Sequence, residues 1–498
     1  MTARMSRRVT GRGASEVELP MMAGGVACIA VLLVGVSLSI DLFNLDVWTG
    51  LLTGLILLTI SLPVFMWMAK RDDWPRLVVW LSVALALKFV FSMIRYFVIF
   101  RVYKGEGDAG IYVEAGAELA KRIRLGLPLH PLDHRINSYP VESQYMGDIT
   151  GIVFYLTGAS KYATFLIYSW VCFIGQLFAA QALKIAVPEA NYRRYTLVLV
   201  FLPSLLFWPS SAGKEAVMTF ALGIMFWGAA YLLGPTPKAI GLVPFLSGAG
   251  IAMLFRPHIA IMGIAALGAA FGFSFVLGNA SKARQMGSKF FSRVARGLGL
   301  VVMIAVFVLS SSQLGRLMGE EPGSDGGLSA TAALEKAAKQ STIGNSAFTP
   351  PMVSNPVMVP WGVASVLFRP FPWEASGGSL IAAAESALLG GLFVLSAGRL
   401  LTLWTMVRRR AYVVFSMAFV VEFAIGFSYI GNFGILARQR VLMLPAVLLM
   451  LALPTREELA EYDASQMGEE LPSNVATRRL VGTLTTVGAP DYDETTKR

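Results

Sequence analysis

Residues able to bind or transform a polar ligand fall in five short segments of an otherwise apolar chain. The first is Gly107-Asp108-Ala109-Gly110-Ile111-Tyr112. An acid that follows glycine and opens a helix can be an N-terminal residue, or a general base if a substrate hydroxyl comes within reach. The second runs from Leu202 through Pro203, Ser204, Phe207, Trp208, Pro209, Ser210, Ser211 and Gly213 to Lys214 and Glu215. Its prolines interrupt the helical hydrogen-bond ladder and leave backbone groups free for other partners. The third is Phe255-Arg256-Pro257-His258, and the fourth Phe368-Arg369-Pro370-Phe371-Pro372-Trp373-Glu374. In the fourth, two prolines stiffen a segment whose aromatic faces lie beside an acid and a base, which suits a sugar ring or a membrane-interface belt. The fifth, Asn432 to Arg440, carries Arg438 and Arg440 one residue apart.

The elements that must position these residues are membrane spans. Hydrophobic residues make up 55% of the 498 and charged residues only 15%, against about 25% charged in a soluble domain. The excess is gathered in long runs, each able to cross a hydrocarbon core about 30 Å thick. The fold class predicted is an all-α integral membrane protein of about twelve spans, at 21–40, 47–69, 77–100, 162–186, 196–211, 214–233, 239–255, 258–279, 298–312, 381–406, 412–430 and 439–453. Residues 1–20 read as a cytoplasmic segment before an uncleaved first helix. The polytopic domain then covers 21–453, with large outer loops at 101–161 and 313–380, and 454–498 reads as a disordered cytoplasmic tail. The stretch 147–158 is too short to span, and 111–125 fits an amphipathic helix ending at Lys121, Arg122 and Arg124.

The net charge of +11 suggests nucleic acid, but the cations stand in short clusters between apolar runs and form no basic face. They read as topology signals. Lys70, Arg71, Arg193, Arg194, Lys282, Arg284 and Arg408–Arg410 all fall on one side, the cytoplasmic side by the positive-inside rule. Cys28 and Cys172 imply no disulfide framework, and His130, His134 and His258 are too scattered for a metal site.

The five polar segments then share the outer face. Each outer arginine has a plain explanation, snorkelling to the headgroups. Together, Lys214, Arg256, Arg369, Arg438 and Arg440 fit a single polyanion, a phosphate or diphosphate linked to a lipid carrier, which guanidinium groups grip in bidentate fashion. Asp108 is the candidate base, and Tyr112, Glu215, His258, Trp373 and Glu374 the supporting groups. Within the spans, Lys88 and Arg95 share one face of the third helix, and Glu422 lies near the middle of the eleventh. These could form an ion pair or a transport path.

The Gly-Asp-Ala-x-x-Tyr segment resembles the loop aspartate motif of the C-type fold glycosyltransferases, polytopic enzymes that use polyprenyl-phosphate sugars. The stretch from Pro203 to Glu215 looks like the outer helix break of their mannosyltransferase branches, and Arg256-Pro257-His258 stands where such proteins often place an arginine. Three helices precede Asp108 where many members have one, and no second acid adjoins it. The Ala437-Arg438-Gln439-Arg440 ending is also similar to glycan polymerases of the O-antigen and exopolysaccharide type. The resemblance implies a multi-pass protein of the bacterial plasma membrane with both termini cytoplasmic. Its donor would be a polyprenyl-linked sugar and its acceptor a glycan or lipid, with no nucleic acid involved. A divalent cation is implied only for a diphosphate donor, because one aspartate makes a poor magnesium site. A transporter or flippase for a lipid-linked glycan is the rival from another class.

Overall fold

A chain in hydrocarbon must satisfy its backbone hydrogen bonds internally, and a helix does so within one segment. The computed structural model follows that rule over the residues it describes, 45–127, 141–276, 346–353 and 355–467. The predicted helices 21–40 and 298–312, Cys28, His130, His134, the cations of 282–296 and the tail after 467 lie outside the described residues. In chain order the helices are α1 Leu45–Arg71, α2 Leu77–Phe97 (continued by a wider turn, Val98–Val102), α3 Asp108–Arg124, α4 Val141–Thr157 and α5 Lys161–Ala186. There follow α6 Tyr192–Phe201, α7 Pro203–Phe207, α8 Lys214–Leu233, α9 Leu242–Phe255 and α10 Pro257–Val276. The last group is α11 Val359–Phe368, α12 Ser379–Leu395, α13 Ala397–Leu400, α14 Leu403–Arg409, α15 Ala411–Phe427, α16 Phe433–Arg440, α17 Leu444–Ala452 and α18 Arg456–Met467. The described residues hold no strand, only an isolated bridge from Ala347 to Asn432.

Four helices are long and apolar enough to cross a membrane: α1, α2 with its extra turn, α5 and α8. Six spans result if α12 with α13–α14 and α16 with α17, bent by 63° and 62°, each count as one. The twelve predicted are not all found, for reasons the chain makes plain. Two lie outside the described residues. The runs at 239–255, 258–279 and 412–430 give shorter apolar helices, and Pro203 splits the run at 196–211 into α6 and α7.

The centre of the bundle is the α5–α8 crossing, where backbones meet directly. A Cβ on Gly175 would lie 2.5 Å from Phe220 Cα, and one on Gly223 would lie 2.1 Å from the Gly175 carbonyl oxygen. Small residues are what permit such an approach between membrane helices. Around it pack Phe226, Phe415 and Phe419, edge to face at 5.5 and 5.3 Å.

Beside this core the chain contains two prolines whose effects must be repaired. The carbonyl of Leu199 faces position 203 and that of Leu205 faces position 209; both positions are proline and have no N–H to give. Gln176 Nε2 donates to the first at 3.2 Å and Lys88 Nζ to the second at 2.6 Å. The Ser204 N–H, unpaired in the first turn of α7, is accepted by Glu385 Oε1 at 3.0 Å. The fully buried Lys88 thus supplies a hydrogen bond that Pro209 cannot. It makes no ion pair with Glu422, whose Oε2 has no hydrogen-bond partner among the described residues.

At the opposite end of the bundle Arg71, Arg409 and Arg410 of the topological cations are paired with acids. Burial raises the pKa of Asp72, but hydrogen bonds from Lys184, Tyr192, Arg71 and Gln181 outweigh it and hold the carboxyl below its ordinary value. Glu189 accepts from Arg410. Residues read as tail form α18 instead. Thr455 Oγ1 accepts from the Glu458 N–H at 3.2 Å while Glu458 Oε2 accepts from the Thr455 N–H at 2.9 Å, a reciprocal cap that starts a helix. Arg399 then pairs with Glu458 and Arg409 with Asp463.

Replacement of Gly175 by Ala drives a methyl into the α8 backbone. Overpacking of this kind costs about 1–3 kcal/mol, so thermal unfolding in detergent should shift down by several degrees. An unchanged melting temperature would refute the backbone contact.

Candidate functional site

Three helix starts and one helix end converge at one end of the bundle, around a cavity of about 310 Å³. The chain turns from α2 into α3 at Gly107, whose φ of 105° and ψ of −179° form a conformation open in practice only to glycine. That turn makes Asp108 the first residue of α3. Lys214 and Glu215 open α8 after the proline-broken segment. Asn432 opens α16, its Oδ1 accepting from the Gly434 and Ile435 N–H groups at 3.0 and 3.2 Å. Arg256 ends α9.

Their charged groups form one chain. Arg438 Nη2 donates to Asp108 Oδ2 at 2.8 Å, and Arg438 Nε to Glu215 Oε1 at 2.7 Å. The same Glu215 oxygen accepts from Arg256 Nη2, and Arg256 Nη1 donates to Gln439 Oε1. Glu215 is buried, with both cations on one oxygen, whereas half of the Asp108 side chain is open. Glu215 therefore fixes two guanidinium groups, and Asp108 is the carboxylate that a second molecule can reach. One turn along α3 from Asp108, the Tyr112 hydroxyl is held well above its ordinary pKa by burial first and then by the Asp108 charge, so it stays protonated.

The structure brings together Asp108, Glu215, Arg256 and Arg438 of the residues singled out in the sequence, but takes two of the arginines elsewhere. Arg440 is 1% exposed and turns into the protein. Its Nη1 donates to the carbonyls of Leu367 and Arg369 at 3.1 and 2.9 Å and to Ser386 Oγ at 2.8 Å, and its Nη2 faces Glu385 at 3.3 Å. It thus closes the end of α11 and, through Glu385, the start of α7. Arg369 pairs with Glu374 at 3.1 Å, donates to the Thr349 carbonyl at 3.1 Å, and lies over the rings of Phe348, Trp361 and Phe371. Phe371 is stacked with both Trp361 and Trp373, the latter 80% exposed, so this segment forms an aromatic shelf apart from the cavity lining. His258 packs against Phe427, and Lys214 adjoins the cavity without lining it.

Arg95 lines the cavity and is the one site cation that sequence reasoning placed within the bilayer instead. Its guanidinium lies 5.0 Å from the Phe207 ring and 5.3 Å from the Trp208 ring. Glu385 carried a signal, a lone acid in an apolar run; Gln439, between two arginines, carried none. The described residues hold no group of three or more His, Cys, Asp or Glu side chains suited to a metal ion.

Arg440→Ala would strand Glu385 and the Leu367 and Arg369 carbonyls. Breaking a buried pair in this way costs about 3–5 kcal/mol, and unfolding in detergent should show it. Arg369→Ala, at an aromatic site less deeply buried than that of Arg440, should cost less than half as much. Equal stability of wild type and Arg440→Ala would contradict the structural role. No family model matches this chain, and neither a curated protein nor a solved structure matches it.

Proposed function

We propose that this chain is a membrane glycosyltransferase that takes a sugar from a polyprenyl-phosphate-linked donor at the outer face of the plasma membrane and passes it to a glycan or lipid acceptor during cell-envelope or exopolysaccharide assembly. The reading rests on the convergence of a half-open carboxylate, Asp108, with the Arg438 guanidinium in one cavity at the end of membrane-spanning helices. A lipid-borne phosphate would reach that level with its tail still in hydrocarbon.

In the reaction, the acceptor hydroxyl oxygen bonds to the anomeric carbon as the bond from that carbon to the phosphate oxygen breaks. Asp108 accepts the hydroxyl proton and becomes a neutral acid, and the lipid phosphate leaves with the bonding electrons. Arg438, preset by Glu215, stabilises the charge growing on the leaving oxygen. A cation already fixed in place stabilises such charge without reorganisation. A glycan polymerase would use the same chemistry with a longer donor.

A flippase would need its charge along a route through the bilayer. Lys88, the buried cation best placed for that, is engaged by the Leu205 carbonyl, which favours the enzyme over the transporter.

Wild-type protein in detergent should move labelled sugar from a polyprenyl-phosphate donor to an acceptor. Asp108→Asn should reduce turnover about 10²–10⁴-fold, the usual contribution of a general base, with donor binding retained. Full turnover by Asp108→Asn would remove Asp108 as the base, and absence of transfer by wild type across donors would remove the enzyme reading.

A further inference from the structure

Arg95 has five N–H donors, yet among the described residues it makes no hydrogen bond and no ion pair, and its Nε is shielded from solvent. The groups beside it are rings, Phe207 and Trp208, which support a guanidinium by cation–π contact but leave its in-plane donors free. The four outer arginines singled out in the sequence each have a carboxylate: Arg256 and Arg438 share Glu215, Arg369 has Glu374 and Arg440 has Glu385. A half-buried guanidinium that no carboxylate meets directly points to an anion that arrives from outside.

The cavity wall repeats the preference. Helices α3 and α8 both start at glycine, Gly107 and Gly213, with no side-chain cap, and both glycines line the cavity. Their first turns present the positive end of the helix dipole there. Three carboxylates border the same space. Glu215 is consumed by two arginines, Asp108 by Arg438, and Glu106 is exposed.

We propose that this cavity is a phosphate-ester site in which Arg95 is the principal ligand, and that an arriving phosphate takes Arg438 Nη2 from Asp108 and so frees the carboxylate. The inference rests on the glycosyltransferase reading for its lipid-borne ligand, while the site itself rests on geometry alone. Arg438 stays anchored to Glu215 through Nε, 2.7 Å away, and exchanges only its bond to Asp108. The phosphate then spans Arg95 and Arg438, and Asp108 becomes free to receive a hydroxyl proton only after the donor is in place. An empty site keeps its base tied to a cation, which guards against wasteful reaction with water.

The test measures binding apart from turnover. Full-length protein in detergent is titrated with farnesyl phosphate, inorganic phosphate and farnesol, for wild type, Arg95→Ala, Arg95→Lys and Asp108→Asn, each confirmed monodisperse by gel filtration. Arg95→Ala should weaken farnesyl phosphate at least tenfold, and Arg95→Lys should recover part of the loss by restoring charge. Asp108→Asn should tighten farnesyl phosphate severalfold, because it removes the competitor for Arg438; a merely structural Asp108 would not do so. Farnesyl phosphate binding at least tenfold tighter than inorganic phosphate, with farnesol not bound, identifies a lipid-borne ligand. Equal Arg95-dependent binding of both phosphates keeps the site and removes the lipid donor. Unchanged affinity in Arg95→Ala, weaker binding in Asp108→Asn, or binding of neither phosphate by wild type overturns the inference, even if sugar transfer is observed.

Discussion

The prolines at 203 and 209 set constraints that reach across the bundle. Each removes one N–H from a helix that would otherwise run straight through the apolar layer, and each leaves a carbonyl that hydrocarbon cannot satisfy. The repairs come from Gln176 on α5, Lys88 on α2 and Glu385 on α12. Three helices distant in sequence are thereby tied to one break. The break in turn lets Trp208, Ser211 and Gly213 turn inward, and brings the start of α8 with Glu215 to the cavity.

From that start a second layer follows. Glu215 holds Arg256 and Arg438 on one carboxylate oxygen. Arg440, two residues beyond Arg438, turns the other way and reaches Glu385, which also accepts from Ser204. Neighbouring arginines on a short helix therefore do different work. One stands in the cavity, and the other secures the broken helix that forms its wall. Buried ion pairs are weak net stabilisers, but here their geometry determines where the open carboxylate and its cation face each other.

Much of the helix pattern was legible because long apolar runs have few alternatives in a bilayer. Predicted starts and stops at 47–69, 162–186 and 214–233 fall within a few residues of α1, α5 and α8. The bends near Ser396 and Val441 had only weak signals, Gly398 and Pro445, each inside a run read as one straight span. The helix at 456–467 was missed because composition argued for a tail, while Thr455 and Glu458 carried the capping signal. Of the candidate site, Asp108, Glu215, Arg256 and Arg438 could be drawn together from their shared side of the membrane. Arg369 and Arg440 were grouped with them on the same argument, because charge and topology say nothing about which way a side chain turns. Arg95 was hidden for the converse reason: it stands in the last turn of an apolar helix, where a cation reads as buried.

The crossing of α5 and α8 has a consequence for movement. Where carbonyl and Cα meet with no side chains between, there are no rotamers to exchange, and one helix cannot slide over the other by small adjustments of packing. Admission of a bulky ligand must then be borne by parts other than this crossing. Those nearest the cavity are the α2–α3 elbow around Gly107 and the short α16, whose start is itself tied by backbone hydrogen bonds from Phe348 to Gly431 and from Phe433 to Ser346.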